Sequence, residues 1–140
     1  MLVNNACISH MTVVDDLPPE KWDAILATTL SAAFHAIRAV LPEMKRRSSG
    51  RIVNVASAHG LVATPLRSAY VAASHGVIGL TKAVALEAAG HGITCNALCP
   101  GVVRHTTVKA IAATAVFLCG EPAAAINGAV LPIDRDWAEH

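Results

Sequence analysis

Gly50-Arg51-Ile52-Val53-Asn54-Val55-Ala56 is a glycine followed by a β-branched run broken by a single asparagine. A run without apolar–polar alternation reads as a strand buried on both faces, which is the environment of a parallel sheet covered by helices. Working outward, Asp15-Asp16-Leu17-Pro18-Pro19-Glu20 puts acidic residues and prolines where the first amides of a helix lack partners. Beyond it Trp22, Ile25, Leu30, Ala33, Phe34, Ile37, Leu41 and Met44 recur at three- and four-residue steps. That spacing predicts an amphipathic helix over 19–45, bent at Pro42. On the other side of the strand, a long helix is expected over 68–89, stopped by Gly90 and Gly92. A strand over 93–98 ends at Pro100-Gly101, and a helix over 108–118 and a short strand over 129–133 complete the chain. Leu2-Val3-Asn4-Asn5 reads as the tail of a further strand. Alternating strands and helices imply right-handed crossovers and one α/β domain over residues 1–140, a doubly wound parallel sheet.

Composition narrows the function. With 11 basic and 10 acidic residues the formal charge is +1, which excludes the clustered positive surface of a nucleic-acid protein. The one dense basic run, Lys45-Arg46-Arg47, reads as a solvated helix end. A chain of 140 residues with 54% hydrophobic and 15% charged side chains has core enough to fold and is not disordered. Cys7, Cys95, Cys99 and Cys119 show no paired spacing and are expected as reduced, buried small residues in a cytoplasmic protein. No metal site is expected, since Cys95 and Cys99 followed by Pro100 match no ligand frame. The apolar stretch 24–41 contains His35 and Arg38 and is short for a bilayer span, so no membrane partner is expected.

In open α/β sheets ligands bind beyond the carboxyl ends of the strands. Those ends are Asn4, Asn5, Ala6 and Cys7, then Ser57 to Gly60, then Pro100 to Arg104. Ser57 therefore holds a functional address, and Tyr70, the single tyrosine, opens the next helix thirteen residues later. His10, His35, His75, His91, His105 and His140 read as surface or helix-face residues.

Leu2-Val3-Asn4-Asn5-Ala6, Ser57 with Tyr70, and Pro100-Gly101 taken in this order resemble the C-terminal part of the short-chain dehydrogenase/reductase family. Ser68-Ala69-Tyr70-Val71-Ala72-Ala73 and Val77-Ile78-Gly79-Leu80-Thr81-Lys82 resemble its 3-hydroxybutyrate dehydrogenases in particular. The resemblance covers nearly the whole chain and implies a partial Rossmann-like fold. It implies that Ser57 and Tyr70 polarise a carbonyl while hydride passes to or from NAD or NADP. A phenol with a pKa near 10 needs a neighbouring cation to act as a base at neutrality. The resemblance further implies cofactor contacts at Asn4, Asn5, Ala6, Pro100, Gly101 and Val103. It places His59, Arg67 and Trp137 around a substrate carboxylate, with Ser9 as a further polar contact; Arg can hold a carboxylate in bidentate fashion. The partner class is a small carbonyl compound or hydroxy acid, and the oligomer is a homo-oligomer through the helices 19–45 and 68–89.

The sequence departs from the family at identifiable places. Ser74 stands at the lysine position four after Tyr70, Thr29 at the relay asparagine, and Cys7 where the family's Asn-Asn-Ala-Gly has glycine. No glycine-rich phosphate turn and no counterpart of the first three strands is present, and the lid helices expected between Arg104 and Val108 are missing. Asp134-Arg135-Asp136-Trp137 replaces the usual Asp-Gly-Gly-Trp. Two other readings stand beside hydride transfer. One is cofactor-independent hydrolysis of an ester or lactone, with Ser57 or Ser74 as nucleophile and His59 or His75 as base, although no G-x-S-x-G elbow exists. The other is a non-catalytic remnant that folds and oligomerises.

Overall fold

The computed structural model describes residues 1–101 and 105–134. The run after Gly50 forms β2 (Gly50–Val55), and it pairs in parallel on one side with β1 (Leu2–Asn4) and on the other with β3 (Ile93–Pro100). Strand β4 (Val130–Ile133) pairs in parallel with β3, giving a four-stranded sheet in the order β1-β2-β3-β4. The strand over 93–98 is two residues longer than its apolar run, because the ladder with β4 continues through Cys99 and Pro100.

Alternation along β2 and β3 divides the core between two faces. Ile52, Ile93 and Cys95 meet Ile37 and Met44 of α2 (Ala32–Arg46) and Val84, Ala85 and Ala88 of α3 (Ser68–Ala88). Val53 and Leu98 meet Leu118 and the inner side of α4 (His105–Cys119) on the opposite face. Burial of β-branched and aliphatic side chains on both faces stabilises at roughly 25 cal/mol per Å² of apolar surface removed from water. At the turn between α3 and β3, Gly92 takes φ +65, and a Cβ there would lie 2.6 Å from the Ser48 carbonyl oxygen, so only glycine fits.

The first long helix differs from its expectation. α1 (Pro19–Leu26) is followed by one π-helical turn, Ala27–Ser31, and then by α2, which passes through Pro42 without interruption. Pro42 lies on the exposed side of α2. Asp15 and Asp16 sit in a separate 3-10 turn, Val14–Asp16, and Pro18 caps α1 without a side-chain bond. Phe34, counted in the apolar stripe, is 46% exposed. The segments Pro19–Arg46 and Ser68–His91 are long and apolar enough to cross a membrane by length and composition alone, yet both bury core residues against the sheet.

Candidate active site

The carboxyl ends of β1, β2 and β3 open on one side of the sheet. Ser57 leaves β2 in extended conformation, is buried, and its Oγ accepts the His59 backbone N–H at 3.1 Å. That bond starts the 3-10 turn Ala58–Gly60, whose tight seat against α3 requires glycine. A Cβ at Gly60 would lie 2.8 Å from Ile78 Cδ1 and 3.0 Å from the Ser74 carbonyl oxygen. This close approach brings Ser57 near the first turn of α3, where its hydroxyl acts on the Tyr70 phenol. The His59 and Tyr70 rings meet edge to face with centroids 6.2 Å apart.

Burial pushes the Tyr70 phenol above its usual value; the Ser57 hydroxyl pulls it down, the neighbouring Cys7 thiol adds to the rise, and the Arg67 charge opposes it. Burial, with Arg67 assisting, holds the His59 imidazole below its usual value. The Arg67 charge therefore acts on both groups, while its Nη2 rests 3.4 Å from Met11 Sδ. The lysine-position residue is Ser74, 1% exposed, with no hydrogen-bond partner for its Oγ. A hydroxyl so enclosed is not placed to attack a bound ester. His75, the other candidate base, turns Nδ1 to the Val71 carbonyl at 2.9 Å on the exposed side of α3.

A cavity of about 490 Å³ opens at Tyr70, lined also by Asn5, Cys7, Pro100 and Gly101, with Val3, Val55 and Ala56 as its sheet wall. Val108, Ile111, Ala112 and Ala115 of α4 close the far side. A Cβ on Gly101 would land on the Asp134 carboxylate, so this wall too is glycine-dependent. Asn4, Ala6 and Thr29 line a second cavity of about 380 Å³ between the end of β1 and the π-turn, which Asn5 also borders. Thr29 is 5% exposed and its Oγ1 has no hydrogen-bond partner. The structure thus brings Ser57, Tyr70, His59, Arg67, Asn5, Pro100 and Gly101 to one place, and sets Thr29 and Asn4 at another. Ser9 is exposed on the loop after β1. Val103 and Trp137 lie outside the described residues. Among the described residues no group of three His, Cys, Asp or Glu side chains gathers that could hold a metal ion.

Two features escaped the sequence. Cys7, expected as a buried small residue, is exposed beside Tyr70, and Cys119 is half-buried; only Cys95 and Cys99 are fully buried. Strand asparagines also form a buried network. Asn54 Nδ2 donates to Thr81 Oγ1 at 2.9 Å, and its Oδ1 accepts from Asn4 Nδ2 at 2.8 Å. Asn96 Nδ2 donates to the Ile126 carbonyl at 2.8 Å, and its Oδ1 accepts the Ala129 N–H at 2.9 Å. An amide inside an apolar strand was the available signal, because a buried amide must find partners.

A nicotinamide ring is planar, apolar on its faces and edged by an amide. The larger cavity offers it the Asn5 amide, the Pro100-Gly101 backbone and aliphatic walls, so the residues present fit that end of a dinucleotide. No glycine-rich turn for a pyrophosphate is among the described residues.

Comparison with known proteins agrees with this arrangement. The family model for short chain dehydrogenases matches residues 1–115. The chain is 42% identical to D-beta-hydroxybutyrate dehydrogenase of Cupriavidus necator and 41% identical to that of Rhizobium meliloti, covering 98% of itself and 67% of each. Those alignments run over 172 positions, more than the 140 residues of the chain, so the two enzymes carry residues inside the matched region that this chain omits. A solved 4-hydroxyisoleucine dehydrogenase, complexed with NADH and succinate, superposes with a TM-score of 0.93 at 32% identity, over 99% of this chain and 69% of that one. A partial Rossmann-like sheet, the ordered motifs at its strand ends and these matches together make the chain a member of the short-chain dehydrogenase family, related to the 3-hydroxybutyrate dehydrogenases.

Proposed function

We propose that the site binds a small ketone or hydroxy acid and serves hydride transfer with NAD or NADP, working best in the direction of ketone reduction. The observation that carries this reading is Tyr70 on the wall of the 490 Å³ cavity, with the Ser57 hydroxyl acting on its phenol. Two hydroxyls converging on one point suit a carbonyl oxygen that gains negative charge during reaction. Asn5, Pro100 and Gly101 would hold the nicotinamide end, and the cofactor, when bound, supplies or accepts the hydride.

The direction follows from the phenol. With burial raising Tyr70 and Ser74 offering no cation, the phenol keeps its proton at neutrality. A protonated Tyr70 donates to the alkoxide formed when a ketone is reduced, with Ser57 steadying the same oxygen. Oxidation of an alcohol needs the tyrosinate instead, so that rate should rise with pH up to and beyond the usual tyrosine range. Arg67 and His59, beside the pair, suit a substrate bearing a carboxylate, such as a 3-oxo acid. The assembly proposed with this reading is a homo-oligomer through the helices 19–45 and 68–89, which carry exposed Phe34 and Leu86. A stable monomer at micromolar concentration in sedimentation would contradict the oligomer.

The test is calorimetric titration with NADH followed by reduction of acetoacetate. Saturable binding and turnover are expected, with Tyr70→Phe lowering kcat about 100-fold or more, the scale of a lost general acid. Ser57→Ala should cost about 100-fold, the scale of a lost oxyanion donor. Absence of binding at millimolar NADH would overturn the reading for this chain acting alone.

A further inference from the structure

The entry to α3 breaks two local rules in succession. Leu66 takes φ +65, the left-handed region, where leucine is strained and glycine or asparagine is tolerated. It follows Pro65, and proline before a left-handed residue is the pattern of a type II turn, whose third position favours glycine. Arg67 is then the N-cap of α3, at φ −137 and ψ 33, without a side-chain cap bond. Ser, Thr, Asp or Asn would serve the helix better there. The Leu66 side chain is 43% exposed, so core packing does not impose this backbone. Its carbonyl instead accepts the Thr12 N–H at 2.9 Å, which ties the loop after β1 to the start of α3. The same loop supplies Met11, whose sulfur, 3.4 Å from Arg67 Nη2, is a weak acceptor for a strong donor. Among the described residues no carboxylate pairs with Arg67, which is half-buried three positions before Tyr70. Violations of local preference that packing does not explain concentrate at functional sites.

We propose that Leu66 is a positioning residue: its left-handed backbone, latched by the Thr12 amide, holds the Arg67 guanidinium beside Tyr70 and His59 to receive a substrate carboxylate. The proposal rests on the ketone-reduction reading given above and adds what keeps its cation in place. A relaxed Leu66 would turn the peptide that carries its carbonyl, breaking the Thr12 bond and swinging the Arg67 side chain away. Strained backbone persists only where its surroundings over-determine it. Here the two fixed points are the Thr12 bond and the first turn of α3, where the Val71 N–H donates to the Arg67 carbonyl at 2.9 Å. A guanidinium held in advance binds a carboxylate with less ordering cost than a free one.

The experiment measures KM for acetoacetate and for butanone, an uncharged ketone of similar size. Leu66→Val puts a β-branched residue where φ is positive and should break the latch. Its KM for acetoacetate should rise about tenfold, the scale of one charge-assisted hydrogen bond, with that for butanone changed less than about twofold. Thr12→Pro removes the donor and should repeat this pattern with the Leu66 side chain intact. Leu66→Asn tolerates the left-handed region, so it should keep the acetoacetate preference and raise the denaturation midpoint. A titration reads the same contact without turnover. The Arg67 charge opposes the rise of the Tyr70 phenol, on which Ser57 and Cys7 also act. Leu66→Val should therefore move the tyrosinate midpoint further up, in the direction of Arg67→Gln. Equal KM changes for both ketones, or loss of the preference in Leu66→Asn, would overturn the proposal. So would a tyrosinate midpoint that Arg67→Gln moves and Leu66→Val does not. No turnover of either ketone, with the midpoint shift still found, would overturn the ketone reading and support the latch on Arg67.

Discussion

The buried asparagines of the sheet and three small buried hydroxyls meet the cost of burial in opposite ways. At the sheet, buried Asn54 and Asn96 are tied into the structure, and Asn127, exposed on the loop before β4, adds to the tie: its Oδ1 accepts the Cys95 N–H at 2.9 Å, and its Nδ2 donates to the Ala85 carbonyl at 2.9 Å. Ser74 Oγ in α3, Thr29 Oγ1 in the π-turn and Thr94 Oγ1 in β3 are buried too and have no hydrogen-bond partner. A buried polar group without a partner costs about 1–3 kcal/mol, whereas a satisfied one contributes modestly and specifies geometry. The asparagines hold the fold in register; of the hydroxyls, Ser74 lies one helical turn after Tyr70 and Thr29 borders the smaller cavity.

This contrast can be broken by mutation. Asn96→Ala removes two bonds and strands the Ala129 N–H and the Ile126 carbonyl, so chemical denaturation should show a loss of about 3 kcal/mol. A loss below about 1 kcal/mol would mean that the amide network does not hold the sheet as described. Ser74→Lys sharpens the other side. A cation one helical turn from Tyr70 should lower the tyrosine midpoint by at least one unit and move alcohol oxidation toward neutral pH. An unchanged pH profile would show that the ammonium does not reach the phenol. Thr29→Val keeps the shape and deletes the orphan hydroxyl, so it should be neutral or stabilising by about 1 kcal/mol. A destabilisation of comparable size would reveal a partner for that hydroxyl.

The smallest effect concerns His59. Its folded value is depressed, so between that value and its ordinary one near 6.5 the unfolded chain binds the proton first. The associated stability is complete above the ordinary value and is lost as pH falls through the depressed one. His59→Gln should flatten the fall in stability between neutral and mildly acid pH by a few tenths of a kcal/mol at most. A steeper fall in the variant would contradict the sign.

Much of the architecture was readable because it rests on local pattern. The β-branched run at β2 and the glycine and proline stops around β3 specify buried parallel strands without further information. The π-turn at Ala27–Ser31 was not readable, since Thr28 and Thr29 sit inside an unbroken helical periodicity; Pro42, the visible helix breaker, is tolerated on the exposed side. At the site, Ser57 and Tyr70 could be located from the strand ends and their spacing. Their approach to one another depends on Gly60 lying against the Ser74 carbonyl, a tertiary fact with no sequence signature. Cys7 was misjudged for a related reason: cysteine is buried on average, but here the chain leaves β1 straight into the cavity mouth.

The central claim is that Tyr70 remains a protonated donor because burial raises its phenol by more than Ser57 and the Arg67 charge lower it. Tyr70 is the only tyrosine in the chain, so the rise of tyrosinate absorbance with pH reports this one residue. The titration should be followed together with far-ultraviolet circular dichroism, to read the folded protein. A midpoint above the usual value of about 10 is predicted for the folded chain. A folded-state midpoint below that value would contradict the account, since some cation must then be serving the phenol.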